Sequence, residues 1–368
     1  MFRSSQRLVL LCVFFTLVSC RTLCHPRSSG VSPPNAENKK SGATSNSKQG
    51  QNGTSSTPAG QLPFLKGVNI AGLEFGMNTE GSLTGSGFVP PPIEQIAHFT
   101  NEKMNLFRFP VGWPYLQPEV GKPLNQSELD LLDKYVQEAT KQNTYSIIDL
   151  HNFARRDGQF ATADMMVNVW TQLAKHYADQ PMVIFGLANE PHEVVLSTWI
   201  DVVQKVVTAV REAGANNYML LPGNNWCHLD RFADDYKAGM GTIKNPDGSY
   251  NGLIFDLHQY FDNDQSGQSK ECSDDHVNKL NEVVTLLQKD GRQALISEFG
   301  GGNTDSCKKI ITNFVQAAYS HAPTISGVAI WAGGSFGPEY PLVVTIGEGN
   351  NWKDQININA MKSALGMS

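Results

Sequence analysis

The chain has 368 residues, 40% of them hydrophobic and 17% charged, enough apolar material for one large domain or two ordinary ones. Its formal charge is -6 and no basic stripe runs through it, which argues against nucleic acid or another polyphosphate as its partner. A neutral polymer is the better electrostatic match.

At the start of the chain, Arg3 and Arg7 precede an apolar run from Leu8 to Val18, and Ser19 and Cys20 follow it. This is the layout of a secretory signal peptide, too short to span a bilayer, so residues 1–24 are expected to be removed near Cys20 to Cys24. The mature protein is then expected to be secreted, extracellular and free of the membrane. A lipidated Cys20 is the rival; Val18 at the small-residue position and the sequons at Asn52 ("NGT") and Asn125 ("NQS") speak against it. Residues 25–62 are rich in Ser, Gly and Asn and nearly lack large apolar side chains, so they are expected to form a disordered linker. Too few cysteines and aromatics accompany it for a small disulfide-stapled binding module, so none is expected before this linker.

Cys12, Cys20 and Cys24 fall in the leader region, leaving Cys227, Cys272 and Cys307 for the folded part. In an oxidising compartment two should pair. Cys272 and Cys307 are the expected pair, because both lie in polar loops where helices begin. Cys227, in "NNWCHL", is read as a small buried hydrophobe.

From residue 63 to 368 short apolar runs alternate with longer amphipathic segments. The runs are "FLKGVNIAG", "MNLFRFPV", "YSIIDLHN", "MVIFGLANE", "YMLLPGN", "LIFDLHQY", "QALISEFG" and "GVAIWAGG". Their continuity suits parallel strands buried on both faces. Helical periodicity is clearest over 129–142, 164–177, 196–213, 275–289 and 307–319, and weakest over 229–238. This alternation predicts an α/β fold, a (β/α)8 TIM barrel forming a single catalytic domain, expected to be a monomer.

Active sites of such barrels lie where the strands end in the chain direction. Those ends carry Arg108, His151, Asn189 with Glu190, Asn224 to Trp226, His258 with Tyr260, Glu298 and Trp331. Each has an ordinary structural role available to it: a helix-start acid for Glu190, a structural ion pair for Arg108, a histidine beneath a loop for His151 and His258. Their recurrence at one rim is what points to a site. Two carboxylates across a barrel mouth suit glycoside hydrolysis, in which one donates a proton to the leaving oxygen while the other attacks the anomeric carbon. Arg108 near one carboxylate would keep it ionised, and a poorly solvated, negative setting would keep the other protonated. No closely spaced histidine pair appears, so neither a metal nor another cofactor is expected.

"GVNIAGLEFG", "FRFPVGW", "IIDLHNFAR", "GLANEPHEV", "LPGNNW", "FDLHQYFD", "ISEFGGGN" and "IWAGGSFG" together resemble glycoside hydrolase family 5, closest to its fungal-type secreted endo-β-1,4-glucanases. The resemblance extends from about Leu65 to Ala364. It implies a retaining mechanism on a β-glucan polysaccharide, with Glu190 as acid/base and Glu298 as nucleophile. It also implies substrate-binding positions at Arg108, His151, Asn189, His258, Tyr260 and Trp331. Trp331 would form the floor at the cleavage point, and Trp113 and Trp226 would extend that platform. His192 suits a substrate contact or a helix start, and Phe299 stands where relatives often have a small polar residue. A mannan, a xyloglucan or a mixed-linkage glucan is the alternative substrate, and an inactive carbohydrate-binding barrel is a third reading.

Overall fold

The computed structural model describes residues 61–367 apart from Ser86. The expected leader, the Cys20 alternative, Asn52 and the linker up to residue 60 lie outside the described residues. Eight strands form a closed, all-parallel barrel. They are β1 (Leu65–Ala71), β2 (Leu106–Val111), β3 (Tyr145–Leu150), β4 (Val183–Gly186), β5 (Tyr218–Pro222), β6 (Leu253–Tyr260), β7 (Gln293–Gly300) and β8 (Ile325–Gly334). Each is followed by a helix: α1 (Glu94–Asn101), α2 (Gln126–Lys141), α3 (Ala163–Tyr177), α4 (Leu196–Glu212), α5 (Leu229–Lys237), α6 (Val277–Lys289), α7 (Asp305–Ser320) and α8 (Ile356–Ala364). β1 pairs with β8 to close the ring.

Alternation along each strand sorts its side chains between two compartments. Leu65, Leu106, Ile147, Ile184, Leu220, Ile254, Leu295 and Ala329, one from each strand, form an apolar layer inside the barrel. The intervening residues, such as Phe109, Phe185, Phe255 and Phe299, pack outward against the helices, where Phe185 meets Trp170 and Phe299 meets Phe314. Phe299 therefore follows Glu298 because its position in the strand faces the helix layer. The short helix that follows β2, Trp113–Leu116, overturns the expectation for Trp113. Its indole is fully buried, donates to Gln117 Oε1 at 3.1 Å and lies under the Arg156 guanidinium, so it is core and offers no face to a sugar.

The helices begin where side chains supply caps. Asn125 Oδ1 accepts from Ser127 N, Thr162 from Met165 N and Thr304 from Cys307 N. Consequently α2 starts at Gln126 rather than 129 and α7 at Asp305 rather than 307; these polar first turns carry no apolar periodicity. α6 starts at Val277, two residues later than the pattern predicts, and α1 and α8 were not anticipated, being only eight and nine residues long. Lys362 of α8 bridges Glu102 at 2.7 Å and Asp354 at 2.6 Å, and Asp354 also holds His98, so the last helix is fastened beside the first. The disulfide joins Cys272 and Cys307, while Cys227 is free and buried. Among the described residues no helix is long and apolar enough to cross a membrane.

Ile254 is 1% exposed within the interior layer, where neighbouring strands cannot collapse into a void. Ile254→Ala should lower unfolding free energy by about 2–5 kcal/mol. A urea midpoint unchanged from the parent would refute this account of the layer.

Candidate active site

The site is built around Arg108, which points into the barrel from β2 and is fully buried. A guanidinium is tolerated there only if surrounded by acceptors. Nη1 donates to Asn69 Oδ1 (2.8 Å) and Glu298 Oε2 (2.9 Å); Nη2 donates to Asn189 Oδ1 (2.6 Å) and pairs with Asp149 Oδ1 (3.0 Å). Strands β1, β2, β3 and β7, and the loop leaving β4, are thereby tied to one cation. Burial works against that charge, and Asp149 and Glu298 outweigh it, so Arg108 is held even more firmly protonated than usual.

The two glutamates sit in opposite surroundings. Glu298 accepts from Tyr260 Oη at 2.6 Å on one oxygen and from Arg108 on the other. Burial alone would raise its pKa, but His258 and Arg108 overcome that effect and hold it below the ordinary carboxylate value. Glu190 follows Asn189 after β4, with a left-handed φ of 44°. Its Oε1 lies 2.8 Å from His258 Nδ1. Burial, and then the negative charge of Glu298, push its pKa up. A carboxylate oxygen from each glutamate and a ring nitrogen of His258 lie within 4.8 Å of one another.

His258 spans the pair. Its Nε2 is 3.2 Å from Ser297 Oγ, which donates in turn to Asp256. Burial opposes its protonation, yet Glu298 and Glu190 raise its pKa to about 9. His151 is held by Asp149 Oδ2 at 2.9 Å, and its ring is nearly parallel to that of Trp331, with centroids 6.0 Å apart. Trp331 is anchored by its N–H on Tyr340 Oη at 2.9 Å. Asn189 Nδ2 is buried with no hydrogen-bond partner among the described residues. His151, Glu190, Tyr260, Glu298, Trp331 and Tyr340 line a cleft of about 510 Å³, together with Phe153, Trp226 and residues 264–268.

Trp226 reaches the cleft through three consecutive left-handed residues, Asn225, Trp226 and Cys227, with φ of 53°, 64° and 55°. Its ring lies flat on His192, with centroids 3.9 Å apart and planes 6° apart. His192 is thus neither at a helix start, since α4 begins at Leu196, nor loose in its loop. Buried Arg155 holds it from behind, donating from Nη1 to His192 O (2.9 Å) and contacting His192 Nε2 (3.1 Å), and pairs with Glu80 and Glu193. Cys227 is buried, and burial pushes its thiol well above the ordinary value.

Against known proteins, residues 68–335 match the family described as Cellulase (glycosyl hydrolase family 5). The chain belongs to glycosyl hydrolase family 5. It is 42% identical over 301 residues to the manganese dependent endoglucanase Eg5A of Phanerodontia chrysosporium, covering 79% of this chain and 78% of the relative. It is 39% identical over 311 residues to endoglucanase EG-II of Hypocrea jecorina, covering 78% and 74%. Among solved structures, Cel5A (EG2) from Hypocrea jecorina (Trichoderma reesei) superposes with a TM-score of 0.77 at 37% identity, covering 82% of this chain and 98% of that one. XacCel5A in complex with cellopentaose gives 0.73 at 31% identity, covering 81% and 98%.

Among the described residues of this family 5 chain, two clusters bring metal-type donors together, and neither suits a divalent cation. At Glu190, His258 and Glu298 the close oxygens already serve His258 and Tyr260, and the Arg108 cation stands beside them. At His98, Glu102 and Asp354 the ammonium of Lys362 takes the central place. The structure places His151, Glu190, Trp226, Tyr260, Glu298 and Trp331 on one cleft, Arg108, His258 and Asn189 buried behind its two glutamates, and Trp113 away from it. Asn69, Asp149, Asp256, Glu74 and Arg155 were missed. For the first three the signal was a lone polar residue inside an apolar strand run, as in "GVNIA", "IIDL" and "LIFDL". Glu74, in "GLEFG", is buried beneath the mouth, accepting from Gly72 N at 2.7 Å, and burial raises its pKa to about 7.

Burial, and then Arg155, depress the His192 pKa. Removing that cation in Arg155→Ala should therefore raise it, observable as a shifted ring titration by NMR. An unmoved titration would mean that Arg155 does not govern the His192–Trp226 stack.

Proposed function

We propose that the protein is a retaining endo-β-1,4-glucanase, hydrolysing internal bonds of cellulose and related β-glucans by double displacement. The observation that carries this is the pair Glu190 and Glu298: close neighbours, with one carboxyl pushed toward the protonated form and the other toward the ionised form. Their approach suits the separation of about 5–5.5 Å used for retention rather than the wider gap that admits a water for inversion. The names of the relatives, endoglucanases, and the cellopentaose bound in one structural neighbour support a β-1,4-linked glucose chain as substrate.

In this mechanism Glu298 attacks the anomeric carbon while Glu190 gives its proton to the glycosidic oxygen, and the leaving chain departs with that proton. A water then enters, Glu190 takes its proton, and the hydroxide oxygen displaces Glu298 from the sugar. Arg108 and Tyr260 hold Glu298 ionised and aimed. His258 hydrogen-bonds Glu190 and steadies it through both proton transfers. Asn189 Nδ2, fixed by the Arg108 bond to its Oδ1, donates to the sugar 2-hydroxyl, a contact that strengthens as the oxocarbenium-like transition state forms. Trp331 supplies the apolar floor under the reacting sugar, with His151 against it. Trp226, whose backbone N–H binds Pro191 O just beyond Glu190, serves a sugar on the leaving-group side. Residues 1–24 as a leader and 25–62 as a linker would deliver the barrel outside the cell, where such a polymer is met.

Carboxymethyl-cellulose and barley β-glucan should be cut by the wild type in the presence of EDTA, with the β-anomer appearing first by proton NMR. Glu298→Ala should abolish the activity. Glu190→Gln should slow it by about 10²–10⁴-fold, with a smaller loss on aryl glycosides that need little protonation. The rate should fall on the acid side as Glu298 takes a proton and on the alkaline side as Glu190 loses one. Cleavage of glucomannan alone would refute the substrate, first appearance of the α-anomer the mechanism, and loss of activity in EDTA the metal-free chemistry.

A further inference from the structure

The glycine run after Glu298 is not explained by the reaction. A Cβ on Gly300 would stand 3.0 Å from Tyr260 Cε1, one on Gly301 2.5 Å from Cys272 Sγ, and one on Gly302 2.1 Å from Lys270 O. The clearances at Gly301 and Gly302 open toward the loop leaving β6, and the one at Gly300 toward Leu342 and toward Tyr260, the last residue of β6. From that loop Gly267, with φ 69°, would bring a Cβ within 2.7 Å of Tyr260 Cδ1. The Tyr260 ring therefore lies in contact with two glycines that have no side chain to push it aside, Gly300 of β7 and Gly267 of the loop.

The loop has its own means of holding Gly267 there. Buried Asp262 accepts from the backbone N–H groups of Gly267 (3.0 Å), Gln268 (3.0 Å) and Ser269 (3.1 Å) and from Ser266 Oγ (3.2 Å), winding the chain around one carboxylate. Beyond the turn, Cys272 is bonded to Cys307 in the first turn of α7, the helix that follows the strand bearing Glu298. The loop is thus fixed at Asp262 and at Cys272, with Gly267 against the tyrosine between them.

We propose that the loop from Asp262 to Cys272 is a positioning device for Glu298: Asp262 and the disulfide press Gly267 against the Tyr260 ring and so fix the phenol O–H on the carboxylate. Asp262 and Gly267 are positioning residues, acting on the reacting carboxylate through Tyr260. The proposal rests on the assignment of Glu298 as nucleophile for its catalytic meaning, but the placement of Tyr260 is measurable without turnover. An error of about 1 Å in such a contact is enough to slow a reaction by two orders of magnitude.

The test follows the Glu298 carboxyl by ¹³C NMR titration in the wild type, Gly267→Ala, Asp262→Asn, Tyr260→Phe and the Gly267→Ala/Tyr260→Phe double variant. Thermal melts and near-UV dichroism establish that each is folded, and Asp262→Asn carries the test if Gly267→Ala is not. A donated O–H favours the ionised carboxyl, so loosening it should raise the Glu298 titration by about one pH unit in both loop variants. Tyr260→Phe should give the same rise, and the double variant no more. On a soluble cello-oligosaccharide, the acid limb of kcat/KM should move up in step, with kcat about tenfold lower. Wild-type titration of Glu298 in the folded loop variants would overturn the proposal, as would a second full shift in the double variant. Shifted titration with no hydrolysis by the wild type would instead retain the positioning role and reject the glucanase reading.

Discussion

The buried charge of Arg108 is the constraint around which the barrel mouth is arranged. A guanidinium removed from water costs several kcal/mol unless its donors are met, and breaking one partner of such a cluster is more damaging than never having had it. Here the partners come from β1, β3, β7 and the exit of β4. Each strand must therefore end at the right height for its polar group to arrive, and the apolar layer beneath sets that height. Packing at one end of the barrel and charge at the other are the same register seen twice.

From this cation follows the inequality between the two carboxyls. Arg108 lies against Glu298 and not against Glu190, while His258 is hydrogen-bonded to Glu190 and 3.9 Å from Glu298. Two acids of the same kind, both buried, are pushed in opposite directions by which cations reach them and by each other. The remaining machinery is positional. Tyr260 and Asn189 have their hydrogen bonds on the inner side fixed, and Asn189 Nδ2 is left without a partner among the described residues.

Much of this was legible in the sequence because parallel strands buried on both faces leave continuous apolar runs, and a site at their ends interrupts those runs with polar residues. "LANEP" and "ISEFGG" announce themselves in that way. What stayed hidden has physical reasons. α1 and α8 are too short for their periodicity to stand out. Trp113 follows a strand as a cleft residue would, and only the short helix it begins, with its burial against Gln117 and Arg156, assigns it to the outer core. Arg155 lies five residues beyond the end of β3, and its importance depends on three side chains from other loops, Glu80, His192 and Glu193. The glycines at 300–302 look like flexibility in one dimension and prove to be clearance in three.

The ring closes where β1 meets β8, the first and last strands of the barrel to be synthesised. Arg108 and Glu298 are 190 positions apart, so during translation about half of the chain is made between the cation and this carboxylate. Until β7 is in place, Asp149 of β3 is, among the described residues, the one carboxylate within hydrogen-bonding distance of that guanidinium. Assembly of the site is thereby coupled to completion of the barrel: a chain truncated before β7 can gather apolar strands and pair its arginine with Asp149, but it lacks Glu298 and with it the second glutamate of the cleft.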